Sequence, residues 1–350
     1  AMKASTYYDF RDITNFMLGE LNASHMDLRG GKGRYETQDV NTGRLGIEVK
    51  PLKKGVEVSD VTFNSPADKT GSKINPGDVI LSVNGREITD EVNFWSLLKN
   101  EAGNRLLLEV ENADGEEREV IIRPARSLRN ELYEDWVEQR RQLTERYSDG
   151  RLGYLHIRAM NWSSFERFER ELAAAGEGKE GIVIDVRFNG GGWTTDYLMA
   201  VLNVDQHAYC VPRGAAESLE KHHEQFREYY PFGERLPYYA WTKPSIALCN
   251  QNSYSNAEIF SHAYKTLGIG TLVGTPTFGA VISTGANGLL DGSYIRLPFR
   301  AWYAKATGEN MEHGPAVPDI IIDNAPDSKA SNEDEQLKKA VDELLGQIED

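Results

Sequence analysis

Cysteine is scarce in this chain, with Cys210 and Cys249 the only two among 350 residues. A polypeptide of that length needs no covalent staples, so the two thiols neither demand an oxidising compartment nor exclude one. Localisation stays open: the cytoplasm is the default, and the periplasm follows only if a signal peptide left with an upstream region. Apolar runs are short as well. None approaches the ~18 residues of a membrane helix, and no basic, apolar, small-residue leader opens the chain, so neither a membrane span nor a signal peptide is visible. Positive charge is in deficit, 39 Lys and Arg against 54 Asp and Glu, a formal charge of −15. Without a broad basic face, nucleic acid is not expected as a partner. Zinc-peptidase spacing of the H-E-x-x-H kind is missing too. His222-His223 lie in a charged stretch with no carboxylate or cysteine at ligand spacing, so no metal is expected.

What is present divides by period. Ala1-Met2 reads as an expression remnant, and the natural protein is expected to extend upstream. Residues 9–21 carry Phe10, Ile13, Phe16, Met17 and Leu21 on one side of a helix. The polar stretch 22–25 then reads as a loop that carries His25, and residues 29–34 as a Gly-rich, basic connector. From Gly43 the text becomes short β-like runs at 45–49, 56–61, 79–83, 106–110 and 120–122. Asn75-Pro76-Gly77-Asp78 and Asn84-Gly85 supply turn chemistry around the third of them. The stretch SPADKTGSKINPGDVILSVNGREI resembles a PDZ domain, and the resemblance covers residues 43–127. Such domains add a peptide as an extra strand and receive its C-terminal carboxylate on backbone N–H groups. Here the resemblance places that loop at Leu45, Gly46 and Ile47. A PDZ module that only packs against its neighbours is the alternative.

Residues 128–147 are charged with helical period, Leu132, Trp136, Leu143 and Tyr147 forming the stripe. Beyond Arg151, strands at 152–157, 181–186, 245–249, 271–273 and 294–297 alternate with helices at 164–175, 195–202 and 256–267. That is α/β architecture with buried strands. Leu337, Val341, Leu344, Leu345 and Ile348 then mark a terminal docking helix within 332–348.

Ligands of α/β sheets gather at the carboxyl ends of the strands. Two strand-to-helix turns there carry unusual text. In GIVIDVRFNGGGWTTD, Gly190 to Gly192 permit close backbone approach and leave N–H groups aimed outward at a helix start, which suits an anion. No Gly-Lys-Ser/Thr follows, so it is not a phosphate loop. In PSIALCNQNSYSNAEIF, Ser255-Asn256-Ala257-Glu258 fits the S-x-x-E capping box, and a plain helix cap is the bland reading of Ser255. A hydroxyl at a helix start also faces aligned dipoles that stabilise negative charge developing beside it.

DVRFNGGG, NQNSYSNAEIF, GTLVGTPTFGA and GENMEHGPAVPDI, in that order after a PDZ domain, resemble the S41 peptidases, the tail-specific or C-terminal-processing proteases and their tricorn relatives. The resemblance spans nearly the whole chain and implies a crotonase/ClpP-like α/β catalytic domain with an inserted mostly-β PDZ domain and a short N-terminal helical segment. The implied limits are 1–42 for the helical segment, 43–127 for the PDZ domain and 128–150 for a linking helix. The peptidase domain follows at 151–326 and the terminal helix at 327–350. The nucleophile implied is Ser255. The larger branch of the family takes its base from a lysine 25 positions later in a Phe-Gly-Lys context, but that position is Ala280 in Phe278-Gly279-Ala280. The tricorn-like branch takes it from a Ser-His pair before the PDZ domain, and GELNASHMDL supplies Ser24-His25. Glu312 matches the glutamate of the closing motif. Imidazole suits the task, since it titrates near neutrality and can accept and return one proton. Backbone N–H groups of Gly191, Gly192 and Asn256 would hold the oxyanion. His313 is a second candidate base, and Lys265 reads as an exposed helix lysine. The expected function is a serine peptidase acting on peptides or unfolded proteins without cofactor. By resemblance, upstream β-propeller domains and a homo-oligomer would complete it. The alternative is a non-catalytic protein binding a peptide or apolar ligand on the same scaffold.

Overall fold

The structure, a computed structural model, describes residues 4–31, 40–204, 211, 213–215, 217–226 and 240–349. Cys210 and the basic connector from residue 32 onward lie outside the described residues. The chain divides into two units, Ala1–Gly33 with Arg140–Asp350, and Arg34–Gln139.

Helix α1 (Tyr7–Gly19) opens on a capping box: the Asp9 N–H bonds the Thr6 hydroxyl (3.1 Å) and the Asp9 carboxylate takes the Thr6 N–H (2.9 Å). It ends short of residue 21, and its apolar stripe does not become core. Phe10, Ile13, Phe16, Met17 and Leu21 are exposed, and the residue the helix buries is Leu18. Part of the stretch read as a connector is strand β1 (Asp27–Gly30). It was not legible because its partner lies some 270 residues later: Asp27 pairs with Arg296 and Gly30 with Ser293.

The Arg34–Gln139 unit is an antiparallel sheet of β2 (Ile47–Pro51), β3 (Val56–Val61), β4 (Val79–Val83), β5 (Arg86–Glu87), β6 (Leu106–Glu111) and β7 (Glu117–Ile122). Their order is β2-β3-β4-β6-β7, with β5 on β4. Alternating residues such as Val58, Ile80, Leu108 and Val110 close its core. Helix α2 (Arg129–Ser148) follows. Of the expected stripe Leu143 is buried but Leu132 is exposed, and Val137, one residue on from Trp136, is buried instead.

The larger unit is built on five parallel strands: β8 (Leu152–His156), β9 (Gly181–Asp185), β10 (Ser245–Cys249), β11 (Leu272–Gly274) and, beyond the site, β14 (Ile320–Ile321). β8, β9 and β10 are buried at every position, as continuous apolar runs covered on both faces should be. Between them run α3 (Trp162–Gly176), α4 (Thr195–Leu202), α5 (Leu219–His222) and α6 (Asn256–Thr266). A separate antiparallel sheet joins β1, β13 (Ser293–Arg300) and β12 (Ser283–Gly288) in the order β1-β13-β12. The chain closes with α7 (Ser328–Ser331) and α8 (Glu335–Glu349). Among the described residues no helix is long and apolar enough to cross a membrane.

A buried ionic knot fastens α8 to the end of β9. Arg187, 1% exposed, donates to Asp185 (2.7 Å), to both oxygens of Asp334 (2.9 and 3.0 Å) and to Gln336 (3.0 Å). Arg140 reaches Asp334 from α2, and Tyr154 donates its hydroxyl to Asp185. Burial alone would raise the Asp334 pKa, but the Arg187 charge and hydrogen bonds bring it down to about 2. A depressed carboxylate stabilises the fold above its unfolded-state value and loses that contribution as pH falls through the folded value. Urea denaturation should therefore show stability declining from about pH 4 toward pH 2. Asp334→Ala, which leaves the buried Arg140 and Arg187 with Asp185 and so one positive charge in excess within the knot, should cost about 3–5 kcal/mol at neutral pH.

Candidate active site

The carboxyl ends of β9 and β10 lie side by side, and the loops that leave them are sewn together. Ser253 Oγ donates to the Val186 carbonyl (2.8 Å), Phe188 N–H to Asn250 Oδ1 (3.1 Å) and Tyr254 N–H to the Asn189 carbonyl (2.9 Å). Asn189 itself is anchored by its Nδ2 to the Ile157 carbonyl at 2.7 Å. This lattice delivers Ser255 to the first residue before α6 with φ 60° and ψ −119°, a strained conformation for a side chain other than glycine.

Glu258 supplies the restraint. Wholly buried, its carboxylate accepts from the Ser255 N–H (3.0 Å), the Thr277 hydroxyl (2.8 Å), the Ala280 N–H (2.8 Å) and the Gly279 N–H. The Glu258 N–H in turn goes to the Ser255 carbonyl (2.9 Å). The carboxylate half of the expected capping box is therefore present, extended into a four-donor anchor.

A second carboxylate places the imidazole. Glu312, 9% exposed, accepts the Ser24 N–H on Oε1 (2.8 Å) and the N–H groups of Val281 and Ile282 on Oε2 (2.9 Å each). Burial opposes its ionisation, but the donors from Ser24, Ile282 and Val281 outweigh that and hold its pKa below the usual carboxylate value. Ser24 Oγ lies 2.7 Å from His25 Nδ1. His25 also has left-handed backbone, at φ 62°. Its ring lies against Tyr254, centroids 4.5 Å apart, and Tyr254 meets Phe278 edge-on. Its Nε2 is buried and has no hydrogen-bond partner among the described residues. Burial, then the Arg296 guanidinium, draw the His25 pKa below the usual imidazole value, against Glu312 and Asp27.

His25, Ser255, Gly192 and Asn256 line one cleft of about 280 Å³, with Trp193, Val281, Arg296 and Trp302 among the other walls. Gly191 departs from the reading that made its N–H an anion donor, because that N–H is given to Asn189 Oδ1 (2.9 Å). Its role is spatial instead. A Cβ there would sit 2.6 Å from the Ser255 Cβ and 2.9 Å from the Asn256 nitrogen. Gly192 has φ 146°, and its Cβ would strike the Met160 carbonyl at 1.9 Å. The two helix starts are clasped to each other, since Thr195 N–H and Oγ1 both bond Asn256 Oδ1 (3.0 Å) and Oγ1 bonds the Asn256 carbonyl (2.8 Å).

The remaining candidates fall elsewhere. Lys265 pairs with Asp319 (2.8 Å) on the exposed part of α6, and His313 Nε2 meets the Asn22 carbonyl (3.0 Å). Ala280 is buried. His222 lies exposed at the end of α5. In the β unit, Leu45 and Ile47 are core residues, and the Gly46 carbonyl accepts the Thr62 N–H (2.9 Å). Gly46 has φ 84°, and a Cβ would meet the Ser65 side chain at 2.1 Å. Sequence reasoning missed Tyr254, Asn189, Thr195 and the arginines of β13. Only Tyr254, adjacent to Ser255, had a local signal.

Residues 151–322 match the profile of peptidase family S41, and residues 43–122 that of the PDZ domain. Over 364 residues, 99% of this chain, the sequence is 29% identical to the tricorn protease homolog of Saccharolobus solfataricus. It is 26% identical to the tricorn protease of Thermoplasma volcanium over 356 residues, 98% of this chain. It covers 31% and 32% of those two proteins, so the chain spans about a third of the length of the curated relatives it matches. The crystal structure of the tricorn protease superposes with a TM-score of 0.84 at 26% identity, over 99% of this chain and 33% of that one.

Gly192→Ala should displace the 190–193 backbone and with it one anion-facing N–H. The rate at which a fluorophosphonate phosphonylates Ser255, with loss of fluoride, should fall about 10²–10³-fold, the usual loss for one such donor. Labelling unchanged in a folded variant would remove Gly192 from the site.

Proposed function

The chain belongs to peptidase family S41, and from that premise we propose that it is a serine peptidase whose nucleophile is Ser255 and whose general base is His25. The observation that carries this reading is the His25 Nε2, a buried nitrogen without a partner, on a ring that lines the same cleft as Ser255.

The tautomer follows from the relay behind it. The Glu312 carboxylate accepts the Ser24 N–H, and its negative charge beside that side chain draws the Ser24 hydroxyl hydrogen toward it. The Ser24 oxygen then takes the hydrogen of His25 Nδ1 across 2.7 Å, leaving a lone pair on Nε2. Nε2 removes the Ser255 proton as Oγ attacks the peptide carbonyl. The oxyanion is received by the N–H groups of Gly192 and Asn256, the latter at the positive end of α6. The imidazolium then gives its proton to the leaving amine, and water, deprotonated by the same nitrogen, releases the acyl group from Ser255. One histidine serves both half-reactions. Ser24 and Glu312 act through the ring, positioning it and stabilising its charge. Peptides or unfolded proteins are the proposed substrates. Among the described residues β2 pairs with β3 alone, and that edge supports peptide addition there by backbone hydrogen bonds.

Fluorophosphonate labelling tests the assignment. Ser255→Ala and His25→Ala should each abolish or nearly abolish it, and Lys265→Ala should leave it within about twofold of wild type, as expected for a surface pair. A folded wild type that binds peptides but never labels would favour the non-catalytic alternative. Because His25 must be neutral, the labelling rate should fall as pH drops through a value below the ordinary imidazole range. Glu312→Gln should lower the rate by about 10-fold or more, a fraction of the ~10²–10⁴ typical of the base itself.

A further inference from the structure

We propose that the cleft beside Ser255 is a carboxylate-recognising subsite in which Arg300, assisted by Arg296, binds an anionic group on the substrate. This rests on the peptidase reading for its meaning, though not for its measurement. The protein as a whole is strongly acidic, at −15. In the cleft the balance reverses: among the described residues, Arg296 and Arg300 share the lining with a single carboxylate, that of Asp196.

Neither guanidinium is used up by the fold. Arg296 donates to Thr284 Oγ1 (2.9 Å), and its nearest ion-pair oxygen, Asp27 Oδ2, stands 4.0 Å away and is already held by Arg29. Arg300 has no ion-pair partner among the described residues. Its guanidinium lies over the rings of Phe299 (5.5 Å) and Trp302 (5.3 Å). Contact with two rings restrains the guanidinium without using its N–H groups, which suits capture of a carboxylate. Arg296 lines the same cleft as His25 and Ser255, so its positive charge stands on the wall beside the proposed reacting atoms. A peptide carboxylate there would be an acidic side chain near the scissile bond or a free C-terminus.

The test uses the full chain carrying Ser255→Ala, so that binding is read without turnover, and fluorescence anisotropy of labelled peptides in matched sets. One pair differs only by Glu for Gln with an amidated end, the other only by a free or amidated end. In at least one pair the anionic member should bind about 10-fold more tightly or better, and the pair that responds identifies the source of the carboxylate. Adding Arg300→Gln should bring that ratio close to one, and Arg300→Glu should reverse it. Equal binding within both pairs overturns the proposal. So does a preference that survives Arg300→Gln, which would place the carboxylate elsewhere, for example at the β2 edge. Failure of the peptidase reading is separate, since it appears as absent fluorophosphonate labelling of the wild type.

Discussion

One buried carboxylate holds the candidate site together. Glu312 uses two oxygens to accept N–H groups from Ser24, Val281 and Ile282. These come from two stretches of chain more than 250 residues apart, and Glu312 belongs to a third. Each donor would otherwise be a backbone group left without a partner, costing roughly 1–3 kcal/mol when buried. The carboxylate ties a loop that begins the chain to the wall of a cleft formed near its end. Remove the charge and the Ser24 loop loses its tie to residues 281–282, which leaves the imidazole with its contact to Tyr254.

Glu258 does for Ser255 what Glu312 does for the loop that carries His25. Its four donors come from Ser255 and from 277–280, so the elbow and the strand exit beside it move as one body. Both anchored residues have left-handed backbone, Ser255 at φ 60° and His25 at φ 62°, a conformation that costs on the order of 1–3 kcal/mol at such a residue. Strain of this size persists only where neighbouring bonds over-determine the geometry. Two buried carboxylates, each satisfied by several backbone donors, are sufficient for that.

The parts of this arrangement that were legible in the sequence are those with a local signature. Continuous apolar runs announced β8, β9 and β10 because strands covered on both faces need no alternation. The S-x-x-E text at Ser255 announced a helix start, and the triple glycine a close backbone approach. What stayed hidden depends on partners far away in the chain. β1 looked like a polar connector because its pairing with β13 is invisible until the fold is closed. Phe10, Ile13, Phe16 and Met17 have helical period yet stay exposed, since period reports that a face exists and not that anything covers it. Gly191 and Gly192 read alike in the sequence. Only the bond from the Gly191 N–H to Asn189 separates the glycine that makes room from the one that offers its N–H.

The choice of base can be argued from the same bonds. In the larger branch of the family a lysine stands where this chain has Ala280. Ala280 is 2% exposed, and its N–H is one of the four held by Glu258. That position is therefore fixed in the backbone lattice around Ser255. Alanine carries no titratable group, so the proposed proton acceptor comes from another part of the chain. β1 makes this geometrically cheap. Once Leu28, 1% exposed, is fixed by its pairing with Ile295 and by its N–H to Asn15 Oδ1 (2.7 Å), only two residues separate it from His25. An imidazole so close to a pinned strand gives up little conformational freedom on reaching the cleft. The antiparallel sheet that seemed incidental to the α/β core is thus what holds an imidazole from residue 25 beside the cleft of Ser255.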